Sequence, residues 1–148
     1  MKKLLYVIFA IGVGVVFLQS CDKDSLGDSY DNFTSLPPYV EISSKDTLQA
    51  VEGTTVTIGM NLRTAVQQPT TVEYAVSGAF SATGTVTIPR NKTTASAQIT
   101  IPAGVIPSGE DTAEAVFSIK SAKTGSTNLT IGLHGADEEM VAIEIEKD

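Results

Sequence analysis

From position 54 onward the chain keeps alternating apolar and polar residues. Over 54–62, Val56, Ile58, Met60 and Leu62 share one face, while Thr55, Thr57 and Asn61 take the other. Val72, Tyr74 and Val76 repeat the pattern, as do Val86 and Ile88, then Ala95, Ala97, Ile99 and Ile101. Ala115, Phe117 and Ile119 follow, then Leu129, Ile131 and Leu133, and finally Val141, Ile143 and Ile145. Period two means extended strands with one buried face. No segment carries a long helical stripe.

Turn-forming residues separate these runs: Gln68-Pro69, Ser77-Gly78, Pro89 to Lys92, Pro102-Ala103-Gly104, Lys123-Thr124-Gly125 and His134 to Asp137. With 40–42 and 48–51 as a split opening, the count is eight or nine short strands in about 110 residues. Short antiparallel strands at that spacing pack as two facing sheets. The expected fold is all-β, a single immunoglobulin-like antiparallel β-sandwich over 39–148. The chain has no Trp and a single Cys, so an antibody-type core with its disulfide is excluded. Arg90 and Lys92 lie just before the polar run 93–100, which suits a charge-guarded edge strand.

The N-terminus reads differently. Lys2 and Lys3 precede an uncharged apolar run over 4–18. Fifteen residues make a helix of ~22 Å, short of a ~30 Å bilayer core, so an export signal fits better than a permanent span. The run closes on Leu18-Gln19-Ser20-Cys21, which holds the only cysteine. This resembles the bacterial lipobox, with Gln19 a less usual occupant of its middle position. The resemblance implies that residues 1–20 are a lipoprotein signal peptide and that Cys21 becomes a lipidated first residue. Asp22-Lys23-Asp24-Ser25 then resembles the surface-export signal of Bacteroidota-type lipoproteins, which implies an outer-membrane anchor facing the cell exterior.

Residues 22–38 hold four Asp, one Lys and a closing Pro37-Pro38, with no strand or helix period. They read as a flexible acidic tether, so 21–38 is the lipidated cysteine and its spacer. Seventeen residues reach ~55 Å fully extended and ~23 Å as a coil. The full chain has net charge −7, and removing 1–20 with its two lysines and no acid leaves −9 on the mature chain. That balance counts against a nucleic-acid partner, which needs clustered Lys and Arg.

Within the domain, Val51-Glu52-Gly53-Thr54 followed by an alternating strand and Pro69 to Tyr74 is similar to the opening of a Calx-beta domain. Gly84 to Pro89, Ala97 to Ile101, and Gly109-Glu110-Asp111 leading to Glu114 through Ile119 continue that resemblance, which spans about 48–123. It implies the sandwich, and it implies Glu52, Glu110, Asp111 and Glu114 as candidate Ca²⁺ ligands at one end. The family's aspartates after the third strand are missing, since 77–85 contains no acid. Ca²⁺ needs six to eight oxygens, and these four carboxylates fit a solvated rim better than a centre. No other cofactor is expected.

Other candidate chemistry is thin. His134 with Asp137, Glu138 and Glu139 reads as a polar hairpin loop rather than a metal site. Gly27-Asp28-Ser29-Tyr30 resembles the nucleophile block of GDSL-type hydrolases, but it lies in the tether, and Ile131 stands where the partner aspartate would be. The one Cys is the lipidation candidate and the one His stands alone, so no other Ser/His/Asp or Cys/His arrangement is read here, and the chain is not expected to be an enzyme. Asp24-Ser25-Leu26, Asp46-Thr47-Leu48 and Asp111-Thr112-Ala113 resemble the Bacteroidota O-glycosylation site, which makes Ser25, Thr47 and Thr112 candidate acceptors. For glycan binding, exposed aromatic rings are the usual platform; Tyr39, Tyr74, Phe80 and Phe117 fall in or beside strands and read as core.

The expectation is a lipid-anchored, cell-surface, non-catalytic binding or assembly module, an accessory to glycan uptake. Its partners would be the membrane through its anchor and a glycan or protein at the cell surface. The alternatives are a structural adhesin or pilus-type subunit, exchanging a terminal strand within 142–147, and a calcium-binding Calx-beta-like module.

Overall fold

A computed structural model describes residues 37–133 and 138–147. Residues 1–36, which hold Cys21 and Ser25, residues 134–137 with His134, and Asp148 lie outside the described residues. Among the described residues the domain comprises ten strands: β1 (Tyr39–Ile42), β2 (Leu48–Val51), β3 (Thr55–Leu62), β4 (Thr70–Gly78), β5 (Ala82–Ile88), β6 (Thr94–Thr100), β7 (Thr112–Thr124), β8 (Thr127–Asn128), β9 (Thr130–Ile131) and β10 (Met140–Glu146). One sheet runs β6-β3-β1-β9; the other runs β2-β10-β7-β4-β5, with β8 folded back on β7. The expected sandwich is present, with the split opening as read: β1 pairs with β3 in one sheet, β2 with β10 in the other. β6 stands at an open edge, as its composition suggested.

The alternating residues meet between the sheets. Val40, Ile42, Met60 and Leu62 from the first sheet and Val72, Phe117, Ile143 and Ile145 from the second are all 2% exposed or less. Phe117 is the largest fully buried side chain among the described residues and stacks on Tyr74 with ring centroids 4.9 Å apart. Phe80 and Ile106 are also buried, and they come from segments outside the regular strands.

Two departures from simple alternation shape the second sheet. β7 is 13 residues long, well beyond the run 115–119. Its register against β4 shifts between Glu73 and Tyr74, where Tyr74 faces Ile119 but Glu73 faces Ser121, so Lys120 is the extra, unpaired residue of a β-bulge. The bulge reverses parity. Before it Ala115, Phe117 and Ile119 point inward; after it Ala122 does, and Thr124 follows, its hydroxyl 2.6 Å from that of the fully buried Thr70. The run 129–133 is not one strand either. The Leu129 N–H donates to Ala122 C=O in the second sheet, while Thr130 and Ile131 pair with β1 in the first.

Gly84 on edge strand β5 lies opposite Tyr74, and a Cβ there would collide with the Tyr74 hydroxyl and ring. The ring fills the space that a larger residue would need. Gly84→Ala is therefore expected to destabilise the domain by about 1–3 kcal/mol in urea melts, as overpacking does. Adding Tyr74→Ala removes the clash, so the double variant costs less than the two single losses together. Strict additivity would contradict the packing.

Candidate functional site

The strands run between two ends, and chemistry-bearing residues collect at both. At the end reached by β2, the close of β6 and the start of β7, Glu52 follows β2 and its N–H donates to Glu146 C=O. Its carboxylate turns toward the loop over 101–111 and accepts the Ile106 N–H at 2.7 Å. Glu110 and Asp111 are exposed in that loop. Lys147 Nζ donates to the Glu110 carbonyl and lies 3.7 Å from an Asp111 carboxylate oxygen. Glu114 projects from the outer face of β7, directly opposite Glu144 on β10.

These positions do not fit a Ca²⁺ centre. The Glu52 carboxylate closes a loop, the Lys147 ammonium sits beside that of Asp111 and on the Glu110 backbone carbonyl, and Glu114 belongs to the outer sheet face. Among the described residues no three His, Cys, Asp or Glu side chains come together as a metal site. Of the candidate acceptors, Thr47 is exposed just before β2, and Thr112 is exposed as the first residue of β7 rather than in a loop.

The loop before β10 holds a residue that its composition concealed. Read as part of a solvated hairpin, Glu138 is instead 2% exposed. One carboxylate oxygen lies 3.2 Å from Lys45 Nζ, and the other accepts the Leu133 N–H at 2.5 Å. Lys45 lies on the crossing from β1 to β2, so this carboxylate ties that crossing to the backbone at Leu133, just after β9.

At the opposite end, where the chain enters through Pro37-Pro38, the first sheet carries a shallow groove of ≈ 420 Å³ on its outer face. It is lined by Tyr39, Glu41, Asn61, Leu62, Arg63 and Thr93. Antiparallel pairing sets Glu41 opposite Asn61. The Arg63 N–H donates to Tyr39 C=O at 3.0 Å, and its guanidinium carbon stands 6.0 Å from the Tyr39 ring centroid. Tyr39 is thus not a core residue. Val40 takes the inward position, and Tyr39, one residue earlier, must face out. The β6 part of this face is uncharged, with Thr55 bonded to Thr100 and Thr57 to Gln98.

Two packed sheets, a split first strand and a bulged long strand define an immunoglobulin-type sandwich of the Calx-beta-like kind. Solved structures carry the likeness. The apo form of the Calx CBD1 domain matches with a TM-score of 0.57 at 10% identity, covering 76% of this chain and 99% of that one. CBD12 from CALX1.2 matches with a TM-score of 0.57 at 11% identity, covering 74% of this chain and 44% of that one. No protein-family model and no curated protein matches the chain. At such identities the likeness is one of fold.

Two outcomes follow for the loop end. Glu52→Ala leaves the Ile106 N–H without its acceptor, so that amide exchanges with solvent faster, and stability falls by about 1–3 kcal/mol. Unchanged exchange at Ile106 would contradict the contact. Excess Ca²⁺ leaves the melting temperature of the full chain where it was, whereas a site at a hundred times its Kd would add about 2.7 kcal/mol. A rise reversed by chelator would overturn that expectation.

Proposed function

We propose that this chain is a lipid-anchored, surface-facing β-sandwich, a non-catalytic binding or assembly module serving as an accessory to glycan uptake. The observation that carries the reading is the sole cysteine, placed as Leu18-Gln19-Ser20-Cys21 at the end of an apolar export-type run. Diacylglycerol on Cys21 would anchor the chain firmly, since each buried methylene contributes ~0.8 kcal/mol and two or three acyl chains act together. The acidic spacer over 22–38 then sets how far the sandwich stands from the lipid surface. Binding is left to the faces and loops of a scaffold held rigid by its core.

The strand-exchanging version of an assembly subunit is less favoured. β10, the terminal strand, lies between β2 and β7 and is paired on both sides, so its release would break two ladders. A calcium-dependent module is disfavoured by where Glu52, Glu110, Asp111 and Glu114 stand.

Labelled palmitate fed to the producing cells should enter the wild-type protein and fail to enter Cys21→Ser, which then leaves the membrane fraction. Undiminished labelling of the variant would sink the lipoprotein reading.

A further inference from the structure

We infer that the open edge of β6 pairs with β6 of a second copy of this chain, antiparallel and centred on Ala97, joining two sheets into one. The inference goes beyond the proposed function and needs neither the anchor nor a glycan. No strand is exchanged, so each domain keeps its own ladders.

Hydrogen bonds fix which backbone groups of β6 are turned outward. The Leu62 N–H donates to Thr93 C=O at 2.7 Å, and the Ile101 N–H donates to Thr54 C=O at 2.9 Å, one at each end of the β3–β6 ladder. In an antiparallel pair the bonded positions recur every second residue. Ala95, Ala97 and Ile99 therefore direct N–H and C=O at β3, while Thr94, Ser96, Gln98 and Thr100 direct theirs away from it. All four are exposed, and among the described residues no strand pairs with that side.

Such an edge is ordinarily blunted by a charge, a proline, a bulge or short length. β6 is seven residues long, TASAQIT, with no charge or proline in it and no register shift against β3. The other edges are poorer templates. β2 and β9 have four and two residues. β5 is interrupted by Gly84, whose side-chain position the Tyr74 ring occupies.

A second copy fits this edge because the edge is complementary to itself. Centring the two-fold axis on Ala97 bonds Thr94 of one copy to Thr100 of the other, and Ser96 to Gln98. Every outward residue is used, for about eight backbone hydrogen bonds. A shift of two residues either way would leave one outward residue of each copy beyond its partner's strand. At the axis alanine meets alanine, where the strands approach most closely. On the outer face the Thr–Thr and Ser–Gln pairs extend the rows already formed by Thr55 with Thr100 and Thr57 with Gln98.

Charge sets the direction. Exposed Arg90 and Lys92 precede β6, and the 101–111 loop that follows it carries exposed Glu110 and Asp111, with Lys147 offsetting one of the two. Antiparallel pairing brings the basic turn of each copy beside the acidic loop of the other, twice. Parallel pairing would set like charge against like.

Disulfide trapping in whole producing cells tests the pairing on the full chain. Bonded partners stand about 5.5 Å apart between Cα atoms, within disulfide range, whereas residues 96 and 98 of one chain are ~7 Å apart and outside it. Oxidation with copper phenanthroline should turn Ser96→Cys/Gln98→Cys largely into a dimer on non-reducing gels, and Thr94→Cys/Thr100→Cys likewise. The four single variants should stay at the background of the unsubstituted chain, which controls for Cys21. Arg90→Glu/Lys92→Glu added to the first pair should cut the dimer several-fold. Melting curves establish that the variants are folded, and two independent pairs guard against one that is not. A folded double variant that remains monomeric would overturn the inference. So would single variants that cross-link as well as the doubles, or capture of a different protein in place of a second copy. Palmitate labelling at Cys21 is unaffected by any of these results, so the anchor reading stands or falls separately.

Discussion

What is buried between the two sheets decides what faces water. Val40, Ile42, Met60 and Leu62 are withdrawn from solvent almost completely. Because side chains alternate strictly along a strand, their burial forces Tyr39, Glu41, Asn61 and Arg63 outward. A slip of one residue between β1 and β3 would send a carboxylate, an amide and a guanidinium into the core, at a cost of several kcal/mol for each unpaired polar group. The groove is thus the outer side of the same register that builds the core. Phe117 plays the matching part in the second sheet, where its stack on Tyr74 spans β7 and β4 just before the Lys120 bulge.

Much of this is legible in the alternation. The inward sets on β3, β4, β5, β6 and β10 can be read from the sequence alone, as can the split opening. The bulge cannot, because an extra residue at Lys120 reverses parity, and Ala122 and Thr124 then look out of phase with Phe117. Thr70 is equally hidden: a threonine can be buried when it finds a hydroxyl partner, here Thr124. Leu129 and Ile131 share a period but bond to different sheets, a distinction that periodicity cannot express.

The candidate sites show the same limits. Tyr39 invites a core assignment because it is aromatic and beside a strand; only the inward setting of Val40 assigns it to the surface. Glu138 looks like any acid in a polar loop, and its burial depends on Lys45, 93 positions away. Glu52, Glu110, Asp111 and Glu114 are candidates only through the Calx-beta resemblance. Glu52, Glu110 and Asp111 do reach one end of the sandwich, and the likeness at 10–11% identity is one of fold alone. Glu52 serves the backbone of its neighbouring loop instead.

An anchored sandwich that works at the cell surface must present the outer face of β1 and β3 to the exterior. Single cysteines introduced at 41 and 61, and at 42 and 60, test this with a membrane-impermeant maleimide applied to intact cells, the unsubstituted chain serving as the control for Cys21. Labelling is expected at 41 and 61, and none at 42 and 60 until the protein is denatured. Labelling of 41 and 61 only after lysis, or of all four alike, would contradict it.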